Sequence, residues 1–304
     1  MDKLVLLIHG GAGNIKKSDS EEKFKRHLKG LKASLEAGRK ILEEGGTALD
    51  AVIASVKVME DDPSFNAGKG SVFTHNEKNE MDAAVMDGKT LNNGAVSGVS
   101  NVKNPILLAK KVLEYKDHSF LANEGALEFA KENGLDIVDN EYFKTEVRYN
   151  QLLKARGEKK IALDHDIDEE KYGTVGAVAL DSHGNLAAAT STGGITNKRY
   201  GRVGDTPIIG SGTYADNETC AVSCTGIGEQ FIKFNVAYDI AARIKYKGES
   251  VEKASLENIE NRLNKDDGGL IVVDKYGNYS LPFNSNGMYR GIYCSDGVFD
   301  VKVW

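Results

Sequence analysis

Gly173-Thr174-Val175-Gly176-Ala177-Val178-Ala179-Leu180 runs into the polar turn Asp181-Ser182-His183-Gly184-Asn185 and returns as Leu186-Ala187-Ala188-Ala189-Thr190. Two uncharged apolar runs about a turn-forming pentapeptide predict a buried β-hairpin that begins at Thr174. The segment before it, KARGEKKIALDHDIDEEKY, is charged and has no sustained period, so residues 154–173 read as a mobile surface linker. An ordinary linker leads gradually into structure, whereas this one ends at a Gly-Thr that opens a core strand. Two readings follow. The junction is a plain linker with a β-branched residue at a strand start, or Thr174 has a use of its own.

That use is chemical. A threonine hydroxyl is a weak nucleophile and needs a base. Cutting the Gly173–Thr174 bond gives Thr174 an α-amino group within proton-transfer reach of its own Oγ1. The reference pKa of such an amine is roughly 7.7–8.0, so a neutral fraction exists near pH 7. One residue then supplies nucleophile and base. No histidine is placed for a triad: His27, His75, His118 and His165 lie in polar stretches, His183 in a turn. His9, between a buried strand and a glycine-rich turn, reads as structural.

Outward from the hairpin, residues 4–8 form a first strand that ends in His9-Gly10-Gly11-Ala12-Gly13. Its apolar run is too short for a signal-peptide core. Phe24, Leu28, Leu31, Leu35 and Ile41-Leu42 recur at helical spacing. Gly45-Gly46 ends that helix, and residues 47–59 give a second with small residues on one face. Residues 61–70 read as a loop, 71–74 and 81–86 as strand-like, and 106–116 and 123–133 as helices. A second hairpin turns at Asp274-Lys275-Tyr276-Gly277-Asn278.

The 304 residues, 40% hydrophobic and 28% charged, are ordinary for a globular chain. A net charge of −6 with scattered lysines implies no nucleic-acid face, and no apolar run reaches membrane-span length. Cys220, Cys224 and Cys294 suggest neither a disulfide framework nor a zinc site, so a reducing, cytoplasmic setting is expected. Thirty-three glycines against four prolines suit sites built from close backbone approaches.

An oxyanion hole needs donors at a tight turn, and Thr225-Gly226-Ile227-Gly228 offers them. Arg202 and Asp205 have the right charges for the carboxylate and ammonium of an amino-acid head group. An Arg–Asp pair bracing its own loop is the other reading of those two residues.

Further stretches fall in one order along the chain: Phe65-Asn66-Ala67-Gly68-Lys69-Gly70, Met81-Asp82-Ala83-Ala84-Val85-Met86-Asp87-Gly88, Ser191-Thr192-Gly193-Gly194, Gly201-Arg202-Val203-Gly204-Asp205-Thr206-Pro207, Gly210-Ser211-Gly212-Thr213, Thr225-Gly226-Ile227-Gly228-Glu229 and Gly287-Met288-Tyr289-Arg290-Gly291. With the first strand and the 173–179 run, they resemble the plant-type L-asparaginases and isoaspartyl peptidases, a branch of the threonine N-terminal-nucleophile (Ntn) hydrolases. The match covers nearly all of the chain except the linker.

The resemblance implies an α/β Ntn-hydrolase fold, an αββα four-layer sandwich in one domain, cut by its own Thr174 into an α chain, 1–173, and a β chain, 174–304. It makes Thr174 the nucleophile and Thr192 its orienting partner, with Asn66 nearby. Arg202, Asp205 and the Gly228 carbonyl would hold the substrate head group, and Thr225 and the Gly226 amide would form the oxyanion hole. No cofactor is needed for catalysis. A structural sodium ion would sit in a loop on the carbonyl oxygens of Met59, Glu60, Asp62, Phe65, Ala67 and Lys69, with the Lys69 side chain turned away from it. Substrates would be L-asparagine and β-aspartyl dipeptides, and two αβ units would pair as a dimer of heterodimers. Glycosylasparaginase is the alternative, although such enzymes usually carry Ser-Thr-Asn-Gly where this chain has Ser191-Thr192-Gly193-Gly194. An unprocessed, non-catalytic binding relative is the second.

Overall fold

The helix expected near residue 20 forms as α1 (Glu21–Glu43) and ends at Gly45, whose φ of 81° suits a glycine. Thr47 caps α2 (Ala48–Asp61), its hydroxyl accepting from Asp50 N at 3.1 Å. Asp181, in the hairpin turn, accepts from Ala48 N at 3.0 Å and so ties the start of α2 to the hairpin. The computed structural model describes residues 3–17, 20–157 and 173–304.

The remaining elements are β1 (Val5–Gly13), β2 (Met81–Asp87), β3 (Asn93–Val99), α3 (Pro105–Tyr115), β4 (Phe120–Ala122), α4 (Asn123–Glu132), α5 (Glu146–Gly157), β5 (Val175–Leu180), β6 (Leu186–Thr192), β7 (Thr213–Ala215), β8 (Cys220–Gly226), α6 (Gly228–Phe234), α7 (Val236–Lys247), α8 (Val251–Leu256), β9 (Gly268–Asp274), β10 (Tyr279–Ser280), β11 (Gly287–Cys294) and β12 (Val298–Lys302). Together they make a mixed α/β fold with two sheets. One sheet has the order β12-β11-β1-β5-β6-β2-β3-β4, the other β10-β9-β8-β7. The expected hairpin is β5–β6, paired from Val175↔Ser191 to Leu180↔Leu186.

Three apolar clusters account for the packing. Leu6, Ile8, Ala177, Ala179 and Ala189 pack with Leu31, Leu35, Val52 and Val56 of α1 and α2. The alternate residues Val5, Leu7, Val178, Leu180 and Ala188 pack with Ala221, Ile271 and Val273 of the smaller sheet. Val222, Leu270 and Val272, pointing the other way from that sheet, pack with Phe231, Val236 and Ile240 of α6 and α7. The central strands are therefore buried on both faces, which is why they read as continuous apolar runs rather than alternating ones.

Three expectations need correction. Residues 154–157 belong to α5 rather than to a linker, because Leu152 and Ala155 are buried and Arg156 is bonded to Glu77 and to the His75 carbonyl. The rest of the expected linker, 158–172, lies outside the described residues, and Gly173 is held in place (below). Residues 71–74 form no strand; Phe73 and Thr74 make only isolated bridges, to Asn79 and Lys198. His27, grouped above with the polar histidines, is buried on the inner side of α1, stacked on Tyr289 at 4.6 Å.

Candidate active site

Thr174 sits one step before β5, opposite Thr192 at the end of β6, and is 6% exposed. Its Oγ1 donates to Thr192 Oγ1 at 3.2 Å. Thr192 Oγ1 also accepts from Gly194 N at 3.0 Å. The Gly193–Gly194 turn is fixed by Asn66, whose Nδ2 donates to Gly194 O at 2.8 Å and whose carbonyl accepts from Gly193 N at 3.0 Å. Asn66 thus bears on Thr174 through the turn and Thr192. A Cβ on Gly193 would fall 2.5 Å from Asn66 Oδ1, so the residue directly after Thr192 must lack a side chain.

Behind Thr174 lies a polar chain that the sequence did not disclose. His9 Nδ1 meets the Thr174 carbonyl at 2.9 Å, and Nε2 meets Ser223 Oγ at 2.8 Å. Ser223 Oγ is 2.8 Å from Thr190 Oγ1, which accepts from Thr213 Oγ1 at 2.7 Å. Because Thr174 O can only accept, His9 Nδ1 carries the proton and Nε2 accepts from Ser223. Burial lowers the His9 pKa to about 3, partly offset by its bond to Thr174 O, so the ring stays neutral. Gly176 makes room for it: a Cβ there would lie 2.4 Å from His9 Nε2 and 2.0 Å from Ser223 Oγ.

Gly173 is wedged between the glycine turn of β1 and the oxyanion-hole candidate. A Cβ on Gly11 would fall 2.5 Å from Gly173 N, and one on Gly173 would fall 2.9 Å from Thr225 Oγ1. Gly226, at φ 154°, has no space for a side chain either, with Asp267 O 2.0 Å from its Cβ position.

Arg202, Asp205 and Gly228, expected from the sequence to hold a head group, form the other half of the candidate site. A Cβ on Gly228 would lie 2.9 Å from Arg202 Nη2 and 2.9 Å from Asp205 Oδ1, so the glycine keeps open a recess flanked by a guanidinium and a carboxylate. Asp205 is 3% exposed, and among the described residues its Oδ2 has no hydrogen-bond partner. Burial pushes its pKa up to about 7, with Arg202 pulling the other way. A buried carboxylate oxygen without a donor is costly in a folded chain unless a ligand supplies one. The Arg202 fork is engaged by Glu229, Nε to Oε1 at 2.8 Å and Nη2 to Oε2 at 2.9 Å. Burial alone would weaken the charge on Arg202; the bonds to Glu229 outweigh it and leave the pKa above the ordinary value. The Thr225-to-Gly228 run joins the two halves, since Thr225 faces Gly173 while Gly228 faces Arg202 and Asp205.

The loop from Met59 to Lys69 packs beside Asn66. The carbonyls of Met59, Asp62 and Ala67 each accept one backbone hydrogen bond, from Asp62, Phe65 and Gly70. Those of Glu60 and Phe65 approach glycines so closely that a Cβ on Gly68 or Gly70 would fall 2.2 and 2.1 Å from them. The Lys69 ammonium lies 5.2 Å from the Tyr142 ring centroid. Among the described residues, no group of three or more His, Cys, Asp or Glu side chains is arranged to hold a metal ion. The Glu60 side chain, as distinct from its carbonyl, is structural. Its Oε1 accepts from Ser191 Oγ at 2.6 Å and from Ile106 N at 3.0 Å, bracing β6 next to Thr192, and burial raises its pKa to about 8 against those bonds.

The structure thus gathers Thr174, Thr192, Asn66, Thr225 and Gly173 at one corner and Arg202, Asp205 and Gly228 at the next. Glu229, Ser223 and Lys198 join them without any local sequence signal, since their partners come from distant segments.

Comparison with known proteins identifies the family. Residues 2–303 match the profile of the family described as Asparaginase. The isoaspartyl peptidase of Escherichia coli is 51% identical over 95% of this chain and 92% of its own length. That of Salmonella typhimurium is 50% identical over 95% of each chain. The human isoaspartyl peptidase/L-asparaginase is 46% identical over 95% of this chain and 92% of its own. With a profile match over nearly every residue and relatives at about half identity over more than nine-tenths of their own length, this chain belongs to the asparaginase family.

Proposed function

We propose that this protein is a self-processing amidohydrolase that cleaves β-aspartyl dipeptides and L-asparagine and releases L-aspartate. The observation that carries the reading is the position of Gly173-Thr174, with the Thr174 hydroxyl on Thr192 and Gly173 against Thr225 Oγ1. In self-cleavage, Thr174 Oγ1 attacks the Gly173 carbonyl carbon, the C–N bond breaks and an ester forms. Water then hydrolyses the ester, leaving a Gly173 carboxylate and a free Thr174 amine.

In turnover the amine takes the Thr174 hydroxyl proton as Oγ1 attacks the substrate side-chain carbonyl. Thr225 Oγ1 and Gly226 N–H donate to the developing oxyanion. The protonated amine gives its proton to the leaving ammonia or amino acid, and water, deprotonated by the same amine, frees aspartate from the ester. Arg202 binds the substrate α-carboxylate, and Asp205 with the Gly228 carbonyl binds the α-ammonium. The ammonium would supply the donor that Asp205 Oδ2 lacks.

Intact mass of purified protein, beside Thr174→Ala, tests this. The expected result is two fragments meeting at 173/174 in the parent and one chain in the variant, with aspartate released from β-aspartyl dipeptides. A parent chain that stays whole and releases no aspartate overturns it.

Three accompanying readings are proposed with it. The loop carbonyls of Met59, Glu60, Asp62, Phe65, Ala67 and Lys69 suit a sodium ion, a hard cation that takes oxygen ligands. The cradle kept open by Gly68 and Gly70 and the outward lysine over Tyr142 support that fit. The ion's part would be to stiffen the loop that carries Asn66. The three apolar clusters support a four-layer αββα order. On the resemblance alone, the α chain 1–173 and β chain 174–304 pair as a dimer of heterodimers in the cytoplasm. Among the described residues, no helix is long and apolar enough to cross a membrane.

A further inference from the structure

We propose that Lys198 is a positioning residue for the Thr174 nucleophile, acting through the Gly193–Gly194 turn that its ammonium supports. The inference rests on the reading of Thr174 given above.

Lys198 is 2% exposed, although a lysine buried to that degree is rare without a paired charge. Its Nζ donates to the Glu80 carbonyl at 2.8 Å, and this is its one hydrogen-bond acceptor among the described residues, although an ammonium has three donors. The stem passes beneath Gly194: a Cβ there would fall 3.0 Å from Nζ and 3.1 Å from Cδ. Gly194, at φ 81°, sends its N–H to Thr192 Oγ1 and its carbonyl to Asn66. Lys198 thus fills the space beside Gly194, and two hydrogen bonds lead on from Gly194 through Thr192 to the Thr174 hydroxyl. The backbone of Lys198 is pinned as well, since its carbonyl accepts from His75 N at 2.8 Å and Asn197 N donates to Phe73 O at 2.8 Å.

Its charged surroundings come from three directions. Asp82 on β2 lies directly across the ladder from Thr192, and its Oδ1 accepts from Gly98 N at 2.9 Å while its Oδ2 has no partner. Glu80 precedes β2, and Arg202 follows on the next loop, with Asp205 and Glu229 beyond it and His75 on the bridging segment. Burial lowers the Lys198 pKa, and the charges of Asp82 and Glu80 oppose that shift. A positive charge beneath the turn that meets Thr192 would disfavour protonation of the Thr174 amine once cleavage has created it. The turn sets the hydroxyl's direction, and the charge keeps the base in its neutral form.

The test compares the parent with Lys198→Met, Lys198→Gln and Lys198→Arg, following cleavage by intact mass and kcat and KM for a β-aspartyl dipeptide across pH. A parent that is neither cut nor active sinks the reading of Thr174, and this inference with it. With an active parent, only the variants decide. Lys198→Met is expected to cut slowly and to lose about 10- to 100-fold in kcat, as small misplacements of a reacting group do, with KM changed far less. The acid limb of its kcat profile should move up by about one pH unit, because loss of a like charge lets the amine hold its proton longer. Lys198→Arg should restore the limb more than the rate. A folded Lys198→Met that stays whole while Lys198→Arg is cut also supports the inference, because self-cleavage uses the same hydroxyl. Lys198→Gln keeps a donor for Glu80 and is read in the same way if Lys198→Met does not fold. Parent-like kcat and acid limb in a processed Lys198→Met or Lys198→Gln overturn the inference, as does a change confined to KM.

Discussion

Thr192 Oγ1 receives two hydrogen bonds, from Thr174 Oγ1 at 3.2 Å and from Gly194 N at 3.0 Å, which fixes the hydroxyl that faces Thr174. Thr192→Val keeps the shape and removes both acceptor lone pairs. It should fold, cut itself slowly, and lose about 100-fold or more in kcat, the scale seen when a polar group at a reacting centre is removed. Thr192→Ser should recover most of the rate. Single-turnover kinetics with an intact-mass time course reads both, and a fast, processed Thr192→Val would remove Thr192 from the mechanism.

Gly228 leaves open the recess between Arg202 and Asp205, and a Cβ there would sit 2.9 Å from each. Gly228→Ala should therefore raise KM for L-asparagine by about 10- to 100-fold, equivalent to about 1.4–2.8 kcal/mol of binding. Cleavage at 173/174 should continue at the parent rate, because Gly173 lies by Thr225 rather than in this recess. Equal losses in cleavage and binding would show that the two halves are not separable.

Asp205 must be a carboxylate to hold a substrate ammonium, and burial places its pKa at about 7. KM should rise as pH falls through about 7, an effect measured by initial rates at fixed ionic strength. The sign for stability is the opposite. A carboxyl whose folded pKa is raised favours folding below its unfolded value of 3.8, and that contribution is lost as pH rises through about 7. Asp205→Asn should therefore melt higher than the parent at pH 8, by roughly 1–2 °C for each kcal/mol recovered in a chain of this size, while losing substrate binding. A lower melting temperature at pH 8 would contradict the assigned burial cost.

Gly11 adopts φ 110°, and its Cβ position is 2.5 Å from Gly173 N. Gly11→Ala should displace Gly173 and slow self-cleavage at least about tenfold, since the attack geometry tolerates little misplacement. A mass time course at neutral pH checks it, and unchanged cleavage would mean that the β1 turn does not hold the scissile bond.

Arg202 offers Glu229 a two-pronged contact at 2.8 and 2.9 Å, the geometry a substrate carboxylate needs. Arg202→Lys keeps the charge without the fork, and KM should rise by about tenfold or more with a smaller effect on kcat. Isothermal titration of aspartate into processed Arg202→Lys measures the binding loss directly.

Much of the fold was legible locally. Val175 to Leu180 and Leu186 to Ala189 announced the central hairpin by being apolar throughout, because both faces of β5 and β6 are covered. The stop at Gly45 and the Thr47 cap were readable because helix ends are set by residues within one turn. Thr174 stood out for the same kind of reason, a β-branched residue opening a core strand directly after a charged segment. The site residues in glycine-rich motifs could be named from the resemblance, although their distances could not.

The end of α5 was misread because its few buried residues, Leu152 and Ala155, lie among charged neighbours, and the bonds of Arg156 to Glu77 and the His75 carbonyl span about eighty positions. His27 was placed with the polar histidines because its stacking partner, Tyr289, comes from the far end of the chain. Glu60 meets Ser191 across 131 positions, His9 meets Ser223 across 214, and Lys198 meets Glu80 across 118. The sequence by itself determined which segments are buried and where they turn, because periodicity and capping act over a few residues. Only the tertiary structure decided which buried polar groups meet, because those pairings depend on strand register and sheet packing between segments that carry no local record of one another.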